Sequence, residues 1–203
     1  MSHSCVKKPH YNAFIALGAS IGSTSEMIAR FRAVVDDMSS VGKIQRVSDM
    51  YLNHPQGGVA QNLFLNAVCH WQSSFDPYKQ LSYLLALEQH YGRKRQKRLD
   101  DRMLDLDILY ISSSSPHSHI TQDTLHTTPY ESSHPELCVP HPRLTKRAFM
   151  WHPFKDLFLK WQPLSQADQC LYEKLSTKAQ TSLATYDSHP SHPSSWYIKK
   201  HKW

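Results

Sequence analysis

Apolar and polar residues alternate along the chain in blocks that predict strands and helices in a regular order. Strand-like apolar runs occupy residues 13–17, 44–52, 63–71 and 103–111. Between the first two runs, apolar side chains recur at helical spacing, directly after Ser23-Thr24-Ser25-Glu26, which has the form of a capping box. A second helix is predicted to start at Asp76, which is followed by Pro77, and to end at Gly92.

This β-α-β-β-α-β order predicts an α+β fold of the ferredoxin-like type. In that arrangement an antiparallel sheet carries its helices on one face and leaves the other face free for a ligand. Residues 145–157 and 165–180 have helical patterns and predict additional C-terminal helices. Residues 112–136 are rich in Ser, Thr, His and Pro and predict a long polar insertion. We expect the basic, His-rich stretch 186–203 to be a disordered tail.

The composition sets bounds on the function without choosing it. A chain of 203 residues can bury a proper core, and we expect a single domain over residues 1–185. Its formal net charge of +6 favours anionic partners, which include a nucleoside triphosphate and equally RNA. The 4 cysteines are far apart, and neither a signal-peptide pattern nor an apolar run of about 20 residues is present. These features predict a soluble cytoplasmic protein with reduced thiols.

The candidate chemistry is concentrated where a run of cations precedes a strand with two carboxylates. Asp105 and Asp107 alternate with three aliphatic residues, so both acids point to one face while Leu104, Leu106 and Ile108 point into the core. Two carboxylates about 7 Å apart repel each other unless a cation lies between them, and Mg²⁺ that shares phosphate ligands is the usual answer. The nearby cations that match phosphate oxygens are Arg93, Arg95, Lys97, Arg98 and Arg102. These residues alone leave open a solvated edge strand beside a solvated basic loop.

Four sequence blocks resemble the 6-hydroxymethyl-7,8-dihydropterin pyrophosphokinase family of folate biosynthesis. In chain order, they are Ala16-Leu17-Gly18; Phe64-Leu65-Asn66-Ala67-Val68; Gly92-Arg93-Lys94-Arg95-Gln96-Lys97-Arg98 with Arg102-Met103-Leu104-Asp105-Leu106-Asp107; and Val139-Pro140-His141-Pro142-Arg143-Leu144 with Arg147 and Phe149. Four blocks in the family's order, spread over roughly residues 11–160, are far more specific than any single motif.

The resemblance implies an enzyme that transfers pyrophosphate from ATP to the hydroxymethyl group of the pterin and releases AMP. It implies two Mg²⁺ ions held by Asp105 and Asp107, with Arg93 and Arg102 closing over the triphosphate as catalytic cations. His141 and Arg147 are expected to contact the ATP phosphates, as are Arg95 and Arg98. The expected partners are ATP and the pterin, with neither nucleic acid nor membrane involved.

Asn66 is the residue of its strand that most needs an explanation. It shares a face with Phe64, and an unpaired amide there would cost about 1–3 kcal/mol. A planar heterocycle stacked on Phe64 with its edge bound to Asn66 would satisfy both residues. A core Phe beside an Asn that bonds to backbone is the alternative open from these residues alone. The resemblance implies a pterin held by Phe64, Asn66 and Phe149.

Three positions depart from the family pattern. Ala19-Ser20 stands where Ser-Asn is usual, Asp100-Asp101 stands where Gly-Pro is usual, and Asn53-His54 replaces a Thr-Pro pair. Two alternatives therefore stay open: a divergent paralogue that binds pterin or nucleotide but transfers little, and an RNA-binding module of the same fold class.

Overall fold

The computed structural model describes residues 10–55, 62–92, 101–114, 127–187, 197 and 199–203. The first half of the chain forms β1 (His10–Ala19), α1 (Thr24–Val41), β2 (Lys43–Val47), β3 (Met50–Asn53), β4 (Phe64–Ser73), α2 (Pro77–His90) and β5 (Asp105–Ser114). The second half adds β6 (Thr127–Tyr130), β7 (Ser132–His134), β8 (Leu137–Val139), α3 (Ala148–Lys160), α4 (Gln166–Asp187) and β9 (Lys199–His201).

The main sheet is antiparallel and has the order β6-β5-β1-β4-β3-β9, with β2 also paired to β4. Its centre, β5-β1-β4-β3, is the ferredoxin-like order, which confirms the predicted α+β fold class. The strand predicted over residues 44–52 is divided into β2 and β3. Ser48 lies between them and exchanges hydrogen bonds with Val68, through its backbone N–H at 2.8 Å and its side-chain oxygen at 2.9 Å.

The first face of the sheet packs on α1 and α2, which begin where the sequence predicts. Ser23 and Glu26 form the capping box of α1, and Asp76 caps α2 with Pro77 in its first turn. Gly92, at φ +88°, follows the end of α2 in a conformation that favours glycine. The two helices and the first face share one core, which includes Phe31, Met38, Leu84, Ile15, Leu17, Leu65 and Trp71.

The second face is not free along its whole length, so that part of the prediction is wrong. The helices α3 and α4 cover one half, where Phe14, Val68 and Tyr110 pack against Phe154 and Phe158. A bulge opposite Phe14 and Ile15 changes the register between β1 and β5. It brings both Leu109 and Tyr110 into this second cluster. The open half therefore lies beside the N-terminal end of β5.

The predicted insertion 112–136 is partly regular structure. Strand β5 continues to Ser114, residues 127–130 pair with it as β6, and β7 and β8 form a small separate sheet. Ser, Thr and Tyr are compatible with paired strands, which is why the polar composition concealed these elements. Residues 115–126 lie outside the described part of the chain.

The predicted disorder of residues 186–203 is wrong at both described ends. Helix α4 extends to Asp187, and Lys199–His201 pair with β3 as β9. Main-chain pairing with an open strand edge needs no apolar run, so the composition of this stretch did not reveal it. Cys69, Cys138 and Cys170 are free thiols. None of the helices in the described ranges is both long and apolar enough to cross a membrane.

His70 predicts a specific dependence of stability on pH. Its ring is buried between Phe14 and Trp161, at centroid distances of 4.6 and 4.9 Å, and its Nε2 lies 3.2 Å from the Asn12 Oδ1. Burial, and then Arg46, lower the pKa of His70 from 6.5 to about 4. Between these two values the unfolded chain binds a proton that the folded chain does not.

We therefore expect the free energy of unfolding to be insensitive to His70 above about pH 6.5 and to fall as the pH drops towards 4. Urea unfolding of the wild type and of His70→Gln, measured from about pH 4 to pH 8, checks this. The variant should lose less stability across that window, and parallel curves for the two proteins would contradict the assignment.

Candidate active site

The two carboxylates of β5 lie together on the open half of the second face. Leu104, Leu106 and Ile108 are buried in the first core, as the alternation predicts. Asp105 and Asp107 project to the opposite face and are half-buried. The strand thus presents two acids to a partly solvated surface on a rigid, buried backbone.

Two different elements form hydrogen bonds with the backbone edge of β5 beside these acids. Glu88 of α2 accepts a hydrogen bond from the Leu106 N–H at 2.7 Å. The His141 N–H donates to the Leu109 carbonyl at 2.9 Å, which docks the loop after β8 against the same edge. His141 is therefore held within two residues of Asp107 along the strand.

The environment of His141 determines which ring nitrogen can donate. Its Nδ1 accepts the Arg143 N–H at 3.2 Å, so the proton of the neutral ring is on Nε2. Burial is the main cause that lowers the pKa of His141 to about 4, and Arg147 and Arg143 act in the same direction. Asp105 opposes the shift. At neutral pH, His141 is thus an uncharged donor through Nε2.

Arg147 is the N-cap residue of α3 and interacts both with the acids and with the aromatic residue Phe149. Burial, and then Arg143, lower its pKa, while Asp107 and Asp105 act in the opposite direction. The guanidinium carbon lies 5.5 Å from the centroid of the Phe149 ring. A guanidinium remains charged even in this setting. Arg147 therefore brings a permanent positive charge close to both the carboxylate pair and the Phe149 ring.

Arg102 forms an ion pair with Asp105 and is fixed through its own backbone. Its N–H donates to the Ser20 hydroxyl at 2.9 Å, and its carbonyl accepts the Ser20 N–H at 2.8 Å. Arg30 of α1 donates to the carbonyls of Met103 at 2.8 Å and Ile21 at 3.1 Å. These bonds join the end of β1 to the segment before β5.

A second contact links the segments that flank the site. The Asn62 Nδ2 donates to the Asp101 Oδ2 at 2.7 Å, so one of the two unusual acids is bound by a residue two positions before β4. Asp100 and the predicted phosphate-binding residues Arg93, Arg95 and Arg98 lie outside the described residues.

Gly18 separates Asn66 from the first carboxylate across the sheet. Gly18 is opposite Asn66 on one side and opposite Asp105 on the other. A Cβ on Gly18 would lie 3.5 Å from the Asn66 Oδ1 and 3.7 Å from the Asp105 Cβ. The glycine thus leaves a gap in the row of side chains between the amide and the first acid.

A chain of hydrogen bonds orients the Asn66 amide. The Asn53 Nδ2 donates to the His54 carbonyl at 2.9 Å, which leaves the Asn53 Oδ1 as an acceptor. The Asn66 Nδ2 donates to that oxygen at 2.6 Å. Asn66 is only 5% exposed, and its Oδ1 faces the gap above Gly18. The site therefore presents a fixed amide acceptor.

Phe64 and Phe149 come from different elements on the second-face side of the sheet. Phe64 opens β4 opposite Asn53, is half-buried and belongs to neither core cluster. Phe149 is half-buried at the start of α3. Within the described residues, neither ring stacks on another aromatic ring. Both rings remain compatible with stacking on a flat ligand.

The donor atoms of the site restrict which metal ion it can hold. Among the residues that the structure describes, no group of three or more His, Cys, Asp and Glu side chains could hold one. Mg²⁺ binds differently, through one or two carboxylates, substrate phosphates and water. Asp105 and Asp107, adjacent on one face and surrounded by cations that match phosphate, fit that ion.

A family model described as 7,8-dihydro-6-hydroxymethylpterin-pyrophosphokinase (HPPK) matches residues 14–158. The chain belongs to this family. The matched region runs from β1 into α3 and contains every residue of the site described above. Tyr197 and residues 199–203 lie outside it.

Named HPPK relatives agree with this assignment. The 2-amino-4-hydroxy-6-hydroxymethyldihydropteridine pyrophosphokinase of Bacillus subtilis is 29% identical over 145 residues, which are 71% of this chain and 77% of the relative. The enzyme of the same name from Pseudomonas aeruginosa is 30% identical over 146 residues, 71% of this chain and 78% of the relative. A folic acid synthesis protein of Pneumocystis carinii, fol1, is 28% identical over 145 residues, 71% of this chain but 17% of its own length.

Several residues of this HPPK site were missed by the sequence analysis. Ser20 and Asn53 were seen only as departures from the family pattern, although Ser20 anchors Arg102 and Asn53 orients Asn66. Arg30 looked like any polar residue on the solvent side of an amphipathic helix. The only signal in the sequence was that these residues are polar and lie near a motif or a helix start. Polarity alone does not indicate which residue such a side chain will bind.

Proposed function

We propose that this protein transfers the pyrophosphoryl group of ATP to the hydroxymethyl group of 6-hydroxymethyl-7,8-dihydropterin, giving AMP, in folate biosynthesis. The reaction and both substrates follow from membership of the HPPK family. The observation that supports the residue roles is a row of three paired residues across the sheet, Asp105, Gly18 and Asn66. This row places a carboxylate at one end and an amide at the other, on the same face of the sheet.

The carboxylate end is proposed to bind the triphosphate. Asp105 and Asp107 would hold two Mg²⁺ ions, which when bound supply charge neutralisation and align the phosphates. Arg102 pairs with Asp105, Arg147 interacts electrostatically with both acids, and both arginines would bind phosphate oxygens through their guanidinium groups. His141 would add an uncharged hydrogen bond from Nε2. Arg93, Arg95 and Arg98 are proposed to complete this set.

The amide end is proposed to bind the pterin. The ring would lie between Phe64 and Phe149, and a ring N–H would donate to the Asn66 Oδ1, whose orientation Asn53 fixes. The hydroxymethyl group then points along the row towards the carboxylates. Its oxygen attacks the β-phosphorus, the bond from that phosphorus to the oxygen that bridges to the α-phosphate breaks, AMP leaves with that oxygen, and the hydroxyl proton passes to solvent water. Positioning and charge carry the catalysis.

A coupled assay of AMP release, with ATP and the pterin as substrates, tests this function. We expect saturable pterin-dependent release of AMP that requires Mg²⁺. Binding of pterin without AMP release would instead identify the protein as a divergent paralogue that binds the substrate but transfers little. A domain over residues 1–185 and a cytoplasmic location remain predictions.

Arg102 provides a prediction about the chemical step. The Arg102 backbone is anchored by three hydrogen bonds, from its N–H to the Ser20 hydroxyl and from the Ser20 and Ile21 N–H groups to its carbonyl. Because its guanidinium also pairs with Asp105, we expect it to act mainly on charge that develops in the transition state. Arg102→Ala should lower the single-turnover rate by about 10²-fold or more while affinity for a non-hydrolysable ATP analogue changes by only a few-fold.

Arg102→Lys is the matched variant, since it keeps the charge and the backbone bonds but loses the planar fork. It should be intermediate between alanine and wild type. Equal losses of rate and of nucleotide affinity in Arg102→Ala would show that Arg102 mainly binds ATP in the ground state.

A further inference from the structure

Residues 199–203 lie beyond the region that matches the HPPK family, yet they contact the pterin end of the site. Strand β9 pairs with β3 in the register Met50 to His201, Tyr51 to Lys200 and Leu52 to Lys199. Strand β3 has only four residues, and Asn53 is the last of them. Without β9, its outer edge would present unpaired backbone groups.

Side chains at the end of the segment anchor it to the turn before β3. The Trp203 Nε1 donates a hydrogen bond to the Ser48 carbonyl, and the indole packs against the first core. Ser48 in turn accepts the Val68 N–H of β4, two residues from Asn66. Lys202 pairs with Asp49 at 2.6 Å, but its side chain is 83% exposed, so this pair contributes little.

Lys200 extends the row of the active site by two strands. Pairing places Lys200 opposite Tyr51, Tyr51 opposite Asn66, Asn66 opposite Gly18 and Gly18 opposite Asp105. The Lys200 ammonium lies 4.9 Å from the Tyr51 ring centroid and 5.4 Å from that of Tyr197. The two rings meet edge to face at 5.3 Å. Tyr51 is buried, with its hydroxyl 3.5 Å from Asp156 of α3.

The position of β3 controls the amide that faces the pterin site. Asn53 is the last residue of β3, and its side chain determines which end of the Asn66 amide points to Gly18. A shift of β3 would therefore displace both the acceptor and the Phe64 ring, which is opposite Asn53. The acids of β5 are four strands away from β9, roughly 19 Å at the usual spacing.

We propose that residues 199–203 are a positioning element of the pterin subsite, in which Lys200 and Trp203 hold β3 so that the Asn53-Asn66 pair keeps its orientation. The inference rests on the proposed function, and it assigns to Lys200 and Trp203 an effect on pterin affinity alone. Neither residue touches the reacting atoms.

Steady-state kinetics of the full chain test this with Lys200→Ala and Trp203→Ala. Each substitution should raise KM for the pterin about fivefold or more, as loss of one hydrogen bond or cation–π contact does, with Kd for a non-hydrolysable ATP analogue within about twofold. Lys202→Ala, an exposed neighbour, should leave both constants unchanged. Lys200→Arg, which keeps a cation over the two rings, should restore pterin affinity.

Two measurements separate positioning from a general loss of stability. Amide exchange should become faster in β3 of both alanine variants while β1 and β5 stay protected. An unchanged pterin KM despite faster exchange in β3 would overturn the proposal, as would equal losses of pterin and ATP affinity with a lower Tm. A wild-type protein without pterin-dependent AMP release would instead contradict the proposed function.

Discussion

Replacement of Asp105 or Asp107 by alanine should abolish Mg²⁺-dependent turnover while the fold is retained. Both side chains project from the second face, and the residues between and around them fill the core, so each substitution removes a proposed metal ligand and no core contact. We expect a loss of at least about 10³-fold in kcat, because a missing charge-neutralising group costs several kcal/mol in the transition state. The measurement is AMP release at saturating ATP and pterin.

Matched variants make this prediction specific. Asp105→Asn and Asp107→Asn keep the shape of each side chain but remove its charge, and they should be as inactive as the alanine variants. Asp101→Asn changes an acid that Asn62 engages outside the pair, and it should retain most of the activity. Thermal unfolding should show a similar Tm throughout. Near-normal turnover in both alanine variants would exclude the metal assignment.

Replacement of Asn66 by leucine or of Phe149 by alanine should weaken pterin binding at least about tenfold, since a stacked face or a paired amide contributes roughly 1–3 kcal/mol. Affinity for ATP with Mg²⁺ should stay within a few-fold in the absence of pterin. The reason is position: Asn66 faces the gap at Gly18, whereas the proposed phosphate-binding residues lie around β5. Phe149, in the first turn of α3, contacts Arg147, whose guanidinium carbon is 5.5 Å from the ring centroid. Loss of this cation–π contact costs about 0.5–1 kcal/mol, which is within a few-fold in affinity. Calorimetric titration with each ligand separates the two affinities.

Phe149→Tyr is the control for the aromatic residue, because it keeps the stacking surface, and it should bind pterin nearly as well as the wild type. Asn66→Leu also leaves the Asn53 Oδ1 without its donor, so Asn53→Ala should reproduce part of its effect by releasing the amide. A wild-type protein that shows no saturable pterin binding, even with the ATP analogue present, would contradict the substrate assignment.

The departures from the family pattern acquire physical meaning in the structure. Ser20 replaces the usual Asn, and its hydroxyl binds the Arg102 backbone. The carboxylate of Asp101, which stands where Pro is usual, accepts a hydrogen bond from Asn62. Asn53 replaces the usual Thr and orients Asn66. Each of these three residues forms a hydrogen bond with a neighbouring residue in or beside the site, and the carboxylate pair matches the family pattern.

Local patterns by themselves determined a large part of this protein. The alternation around Asp105 and Asp107 predicted which side chains enter the core, and Ser23, Glu26 and Asp76 predicted where two helices begin. The order of the elements predicted the sheet. These features depend on residues a few positions apart, whose geometry is set by the period of a strand or helix.

Only the tertiary structure decided which distant groups meet. Ser20 binds Arg102, His141 docks on Leu109, and Lys200 lies over Tyr51 across 149 positions of chain. The coverage of half of the second face by α3 and α4, and the pairing of β9 in a stretch predicted to be disordered, belong to the same class. Such contacts depend on which distant segments the fold brings together. They are made by single polar side chains or by the main chain of a strand edge, and neither produces a periodic pattern in the sequence.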